Sequence, residues 1–164
     1  MMKAGTYYIG DLCYVMSDRW SEVCHFICSD NDEGEFELPD GTKFACYGTT
    51  WGDGEYYDNY GNRYAVDSGT IGCVLISDLV NFSADDISGR GSIFTFESDF
   101  ITGSDCDRTG KYHGTGNIVF GNVYIETDPR DPQYDEELAD PQYDEDDYDP
   151  DEDDTDSLEW LDHP

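Results

Sequence analysis

The last part of the chain, residues 128–164, constrains the fold most, because it cannot contribute to a hydrophobic core. It holds 18 Asp and Glu against one Arg, and residues 131–137 recur almost unchanged nine residues later, at 140–146. Repeated prolines prevent one continuous helix, like charges repel each other, and too few apolar side chains are present to offset the entropy of ordering. We therefore predict a disordered acidic tail over residues 128–164, attached to a compact β-rich domain over residues 1–127.

The body of the chain is acidic as well. Residues 1–127 suffice for one modest core and carry 21 Asp and Glu against 7 Lys and Arg. The basic residues are scattered singly: Lys3, Arg19, Lys43, Arg63, Arg90, Arg108 and Lys111. Nucleic acids and anionic membranes require basic residues clustered on one face. The charge pattern therefore disfavours direct binding to either, and favours a basic protein as partner.

Signals for export or membrane insertion are missing from the sequence. The N-terminal residues lack the apolar run of a signal peptide, and no later stretch approaches the ~20 apolar residues of a membrane span. This pattern predicts a cytoplasmic protein. The six cysteines are then expected to stay reduced and to serve mostly as small buried hydrophobic residues.

Apolar side chains at helical spacing predict an amphipathic helix over about residues 17–28, with Ser17 as its N-cap. The apolar positions are Trp20, Val23, Cys24, Ile27 and Cys28. Ahead of the helix, residues 7–9 and 12–15 predict one strand that is broken at residues 10–11, a Gly-Asp pair.

Alternating segments predict antiparallel strands in the rest of the body. Residues 35–38 and 43–47 predict a hairpin across a Pro-Asp-Gly turn, and residues 55–58 and 63–67 predict a second one. The remaining predicted elements are a buried central strand at 70–76, a helical turn capped by Ser83 at 83–87, and last strands at 92–96 and 117–125. The predicted fold class is α+β, mainly antiparallel β-sheet with one amphipathic helix packed on it.

Glycine-rich segments between residues 48 and 69 are a candidate ligand site. Glycines allow backbone amides to approach a ligand closely, and Asp53, Asp58, Asp67 and Ser68 supply polar side chains. The spacing matches neither a phosphate-binding loop nor a dinucleotide fingerprint, and tight β-turns require glycine for backbone geometry alone. Ligand binding and purely structural turns both stay open as interpretations.

Catalytic and metal sites lack a sequence signature. A cysteine nucleophile requires a histidine to activate it, but His25 on the predicted helix faces away from its neighbour Cys24. Cys24 and Cys28 are the only closely spaced cysteine pair, with no second pair to complete a zinc site. Residues 30–35 depart from a calcium-binding loop. We predict no catalytic residue, no metal and no cofactor, and we favour a non-enzymatic protein.

The tail combines charge with regularly spaced apolar anchors. Acidic segments with spaced aromatic residues are attracted to a basic groove and then dock their rings in pockets, ordering as they bind. The residues predicted to contact such a partner are Tyr134, Tyr143, Tyr148, Trp160, Asp135 and Asp144. The alternative is that the tail only keeps the protein soluble.

Part of the body resembles a group of small uncharacterised proteins from tailed bacteriophages, cyanophages included, and from some bacteria. The resemblance covers about residues 5–76 and is carried by residues 10–15, Trp20, Cys24, and residues 47–48, 52–56 and 64–73. It implies a setting, the cytoplasm of a bacterium or of a phage-infected host, and it implies no catalytic residues. The repeated tail looks like an addition specific to this chain.

Two functional hypotheses follow from these observations. The first is an acidic accessory protein that binds a basic protein surface, in the manner of a nucleic-acid mimic that inhibits a host protein. The second is a small hydrolase or ligand-binding domain with its site on the loops at 48–69, in which the tail serves solubility alone.

Overall fold

The computed structural model describes residues 1–28, 33–105 and 116–128, in which β-strands dominate. The strands are β1 (Gly5–Gly10), β2 (Gly34–Glu37), β3 (Lys43–Gly48), β4 (Gly54–Asp58), β5 (Arg63–Val66), β6 (Thr70–Leu75), β7 (Gly91–Phe96), β8 (Thr102–Ser104), β9 (Asn117–Phe120) and β10 (Val123–Glu126). The helix α1 spans Trp20–Ile27, and short 3₁₀ helices span Leu12–Tyr14, Ser17–Arg19, Ile76–Asp78 and Ala84–Ile87.

The first sheet has the order β2-β3-β6-β1-β7, with every neighbouring pair antiparallel. Strand β1 is covered on both faces: Tyr7 and Ile9 enter one buried cluster and Tyr8 enters another. This follows from the alternation of side chains along a strand. The prediction of a buried central strand at 70–76 is confirmed by β6, which lies in the middle of this sheet.

The second sheet has the order β5-β4-β10-β9-β8, again antiparallel throughout. One face joins the first sheet in a shared core that includes Tyr64, Phe120 and Ile125. On the other face Tyr57 and Tyr124 are about half exposed. The two predicted hairpins are confirmed, but they fall in different sheets, β2–β3 in the first and β4–β5 in the second.

Side-chain hydrogen bonds join strands of the two sheets. The Tyr64 hydroxyl and the Ser92 hydroxyl are 2.6 Å apart and link β5 to β7. The Tyr47 hydroxyl and the Thr102 hydroxyl are 2.7 Å apart and link β3 to β8. These bonds satisfy hydroxyl groups that burial would otherwise leave without partners.

The predicted helix is confirmed in its existence, but its start was wrong. Residues Ser17–Arg19 form a 3₁₀ turn, and α1 begins at Trp20 with Arg19 at its N-cap and no side-chain capping bond. Ser17 is therefore not the N-cap of the α-helix. The helix ends at Ile27, before Ser29 as expected, and it packs on the outer face of the first sheet.

The buried side of α1 also differs in part from the prediction. Val23 is fully buried, but Cys28 is exposed and Cys24 only half-buried. Phe26 takes their place, because its ring packs 5.5 Å from Phe36 and 6.1 Å from Phe44, measured between ring centroids.

Residues 12–15 were predicted to continue the first strand, and this was wrong. They form a 3₁₀ turn over Leu12–Tyr14, because the Asp11 carboxylate accepts the backbone N–H of Cys13 at 3.0 Å. Such a local side-chain bond competes with strand pairing.

The last strands agree with the sequence in part. The segment 117–125 is a hairpin, β9 and β10, with Gly121 in the left-handed region (φ +58°) at its turn. Strand β8 was not predicted, whereas the turn at Ala84–Ile87, capped by the Ser83 hydroxyl, was. Within the described residues, no helix is long and apolar enough to cross a membrane.

Candidate functional site

A fully buried carboxylate, Asp11, organises the loops at one end of the first sheet. Its Oδ1 accepts hydrogen bonds from the Cys13 N–H at 3.0 Å and the Ser68 hydroxyl at 2.7 Å. Its Oδ2 accepts the N–H groups of Asp67 at 2.8 Å and Ser68 at 2.7 Å. A buried carboxylate is tolerated when its acceptor sites are filled in this way. Asp11 therefore ties the end of β1 to the β5–β6 loop.

Groups around Asp11 have altered acidity. Burial, followed by a hydrogen bond with Asp11, raises the pKa of the Cys13 thiol to about 12. The pKa of Tyr14 is raised above its ordinary value, mainly by burial. The second cause is the 2.6 Å hydrogen bond that its hydroxyl donates to Asp67. Both side chains therefore stay protonated at neutral pH, and Cys13 does not supply a thiolate nucleophile.

The glycine-rich loop after β3 folds against the β5–β6 loop. The Thr49 N–H donates to the Gly69 carbonyl at 3.0 Å, and the Thr49 and Tyr56 hydroxyls donate to the Gly52 carbonyl at 2.6 and 2.8 Å. Gly52 and Gly69 both have positive φ, +77° and +72°, which glycine adopts without strain. These glycines serve the structural-turn role that the sequence left open beside ligand binding.

The structure brings three of the four candidate ligand residues to this pair of loops. Asp67 and Ser68 contact Asp11, and Asp53 is exposed, with Oδ1 3.9 Å from the point where a Cβ on Gly69 would lie. Asp58 lies at the other end of β4, roughly 16 Å along the strand. Ligand binding by Asp53, Asp58, Asp67 and Ser68 stays a prediction.

Asp58 holds a hairpin turn. Its Oδ1 accepts the N–H groups of Tyr60 and Asn62, each at 2.9 Å, and its Oδ2 accepts the Asn62 amide at 2.9 Å and the Tyr64 hydroxyl at 2.7 Å. Burial opposes ionisation of Asp58, but the hydrogen bonds from Asn62 and Tyr64 outweigh it and lower the pKa of Asp58. This carboxylate is 8% exposed and fully engaged in its own turn.

The last described residues lie beside the glycine-rich loop. The Thr50 N–H donates to the Thr127 hydroxyl at 3.0 Å, and the indole N–H of Trp51 donates to Asp128 Oδ1 at 3.1 Å. Trp51 is otherwise 66% exposed. Sequence reasoning missed this contact because its partners are 77 positions apart. Asp128, the first residue of the predicted tail, is 4% exposed.

In the part of the chain that the structure describes, no three His, Cys, Asp or Glu side chains are placed so that they could hold a metal ion. The thiol of Cys24 has a raised pKa, through burial first and then through its neighbour Cys28. The predicted partner-binding residues of the tail, with Cys106, His113 and the acidic turn at 30–32, lie outside the described residues.

Nearly every described cation is engaged with an acidic partner. Lys3 pairs with Asp99 at 2.8 Å and Lys43 with Glu37 at 3.7 Å, while Arg19 pairs with Asp40 and Arg63 with Glu55. The fifth, Arg90, lies over the ring of Tyr14, 4.6 Å from its centroid. Against these five basic residues the described ranges contain 19 Asp and Glu. The surplus charge of this surface is therefore negative.

Comparisons of the chain with protein-family models, with curated proteins and with solved structures found no match in any of the three. The resemblance to phage proteins stays a prediction.

Proposed function

We propose that this protein is a non-enzymatic interaction protein that binds a basic surface of another protein. The observation that carries the proposal is the charge distribution: the described Lys and Arg side chains are engaged inside the molecule, while acidic groups remain in large excess on the same surface. Complementary charge steers such a protein to a cationic partner and excludes anionic ones.

A nucleic-acid-binding protein is the partner class that we favour. Its basic face evolved to bind phosphates, so an acidic protein competes for the same groups. The formal net charge of −31 on 164 residues supports such competition. In this proposal the protein acts as a nucleic-acid mimic. In a phage-infected cell it would prevent a host protein from binding nucleic acid.

The tail residues supply a second, more specific contribution to the proposal. Charge alone attracts every basic protein, whereas aromatic side chains select the surfaces that offer pockets for them. The repeat places Tyr134 beside Asp135 and Tyr143 beside Asp144, and Trp160 lies near the end of the chain. We propose that these side chains dock on the partner.

The experiment uses the immobilised full-length chain to capture proteins from a bacterial lysate at graded salt, with duplex DNA as competitor. One variant neutralises Asp135, Glu136, Asp144 and Glu145 to the amides. A second replaces Tyr134, Tyr143, Tyr148 and Trp160 with Ser. A matched control neutralises four acidic residues outside the repeat, at 151–154.

We expect a nucleic-acid-binding protein to be captured at low salt and released by DNA. We expect both repeat variants to capture at least 10-fold less of it than the control does. Capture that ignores salt and DNA, or that all three variants weaken equally, would overturn the proposal. A purified captured protein then allows the stoichiometry and the displacement of its nucleic acid to be measured.

A further inference from the structure

A groove of about 280 Å³ opens between the segment after β1 and the loop after β6. The first wall comes from residues 14–18 and the second from residues 80–87, so the two walls are more than sixty positions apart in sequence. The lining residues are Tyr14, Val15, Ser17, Asp18, Val80, Asn81, Phe82, Ser83, Asp86 and Ile87. The groove is separate from the glycine-rich loops, although Tyr14 contacts both through its bond to Asp67.

The walls of the groove are acidic. Asp18 on one wall and Asp86 on the other are both exposed, and the lining contains no Lys, Arg or His. Ser17 and Asn81 add exposed polar groups, one from each wall. Carboxylates from both walls of one groove fit a single positive charge between them, and would repel an anion.

The rest of the lining is apolar or aromatic. Val15 and Phe82 are half-buried, Ile87 is buried, and Val80 is 64% exposed at the rim. The ring of Tyr14 already carries a guanidinium group of the same chain, because Arg90 lies over it, 4.6 Å from the centroid. Aliphatic stems pack on such surfaces while their charged ends reach polar groups, and guanidinium groups stack on aromatic rings.

We infer that this groove receives one arginine side chain of the basic partner protein. The inference rests on the proposed function and deepens it by placing a specific contact on the folded body. Three observations support it: charge complementarity with Asp18 and Asp86, the apolar lining that includes Val15 and Phe82, and a volume below the ~300–1,000 Å³ of clefts that hold drug-sized ligands. Arginine is favoured over lysine because its planar guanidinium carries five N–H donors for carboxylates and stacks on aromatic rings.

The test is an NMR titration of the ¹⁵N-labelled full-length chain with the acetylated and amidated peptide Gly-Gly-Arg-Gly-Gly, and with the same peptide carrying Lys. The groove variant is Asp18→Asn/Asp86→Asn. The matched control is Glu22→Gln/Asp85→Asn, which removes the same two charges from exposed positions four and one residues away that do not line the groove. The dispersed spectra of both variants report whether each one is folded.

We expect the arginine peptide to shift the amide resonances of Ser17, Asp18, Asn81 and Ser83. It should bind the groove variant at least 10-fold more weakly than the parent, and its affinity for the control should change by less than 2-fold. We also expect at least 3-fold weaker binding of the lysine peptide. Shifts spread over other acidic surfaces, or equal losses in the two variants, would overturn the groove assignment. Equal binding of the lysine peptide would overturn the preference for arginine. Capture of a DNA-displaceable partner by the immobilised chain tests the proposed function independently, so the two can fail separately.

Discussion

At the scale of single residues, buried carboxylates hold the loops of this protein. Asp11 and Asp58 each accept four hydrogen bonds, spread over both oxygens. The donors to Asp58 are local, whereas three of the donors to Asp11 come from the β5–β6 loop. Burial of a charge is unfavourable unless it is compensated in this way. These two residues are therefore explained by folding, and neither presents a free oxygen for substrate chemistry.

Replacing Asp11 with Asn tests its role in tying β1 to the β5–β6 loop. The amide NH₂ would point at N–H donors that the carboxylate now accepts, so we expect a loss of about 2–4 kcal/mol in the free energy of unfolding. Urea denaturation followed by circular dichroism measures this loss. The exposed Glu97→Gln serves as control and should change stability by less than about 0.5 kcal/mol. Equal effects of the two substitutions would contradict the role of Asp11.

Asp58 makes a prediction about acid stability. Its pKa is lowered in the folded state, so its contribution is present above the ordinary pKa of 3.8 and is lost as the pH falls through the lower folded value. The variant Asp58→Asn should be about 1–3 kcal/mol less stable than the parent at pH 7. The difference should shrink between pH 4 and pH 2. Urea melts across that range measure it, and a gap independent of pH would be inconsistent with the predicted linkage.

The pKa values of three other carboxylates are also lowered, but these groups contribute less to the pH dependence of stability. The pKa values of Asp40, Glu55 and Asp99 are lowered by hydrogen bonds from Thr42, Arg63 and Lys3, respectively. All three carboxylates are solvent-exposed, and exposed ion pairs contribute little to stability. Because they are present in both the parent and the Asp58 variant, their effects cancel in the difference.

At the scale of elements, close approach of strands and helical turns determines the packing of the first sheet. Gly72 in β6 pairs with Gly10 of β1 and with Cys46 of β3. A Cβ on Gly72 would lie 2.4 Å from the Ala45 carbonyl oxygen and 2.7 Å from Leu12 Cδ1. The 3₁₀ turn at Leu12–Tyr14 therefore seats directly on this glycine.

The variant Gly72→Ala should destabilise the protein by about 1–3 kcal/mol, since backbone as well as side-chain atoms must move to admit the methyl group. The matched control is Gly103→Ala in β8, where an added Cβ meets nothing within 4 Å. We expect the control to be neutral or slightly stabilising, because alanine lowers the entropy of the unfolded chain. Thermal and urea denaturation compare the two. Similar losses at both positions would show that strand propensity, and not packing, determines the effect of replacing Gly72.

At the scale of the whole molecule, charge is the dominant property. A formal charge of −31 opposes the folded state through self-repulsion, and the cations that could relieve it are already paired or stacked within the described residues. Any partner that supplies positive charge relieves part of this repulsion.

Added salt should therefore stabilise this protein. Raising NaCl from 0.02 to 0.3 M shortens the screening length from above 20 Å to below 10 Å, and we expect the Tm to rise by about 2–8 °C. Differential scanning calorimetry of the full-length chain measures the change. The free energies of unfolding obtained from guanidinium chloride and from urea denaturation provide a check. Only guanidinium chloride adds ions, so it should give the higher value. A Tm that falls with salt would mean that the surface ion pairs outweigh the repulsion.

Local patterns in the sequence sufficed to predict several parts of the fold. The two hairpins, strand β6 and the turn capped by Ser83 depend on alternation, turn residues and capping within a few positions of each other. The negative charge and the scattering of the basic residues are properties of composition and order along the chain. They indicate the proposed partner class by themselves, because net charge does not depend on how the chain folds.

The tertiary structure alone decided the rest. The Asp11 bonds to Ser68 and the groove between Asp18 and Asp86 join residues that lie more than fifty positions apart. The division of the strands into two sheets depends on pairings at similar separation, β1 with β7 and β4 with β10. Such pairings depend on which faces bury together across the whole chain, and local spacing carries no record of them. The strand predicted at 12–15 failed in part for the same reason: Asp11 accepts long-range donors from Asp67 and Ser68 on its two oxygens, and its local bond to Cys13 turns the chain away from the sheet.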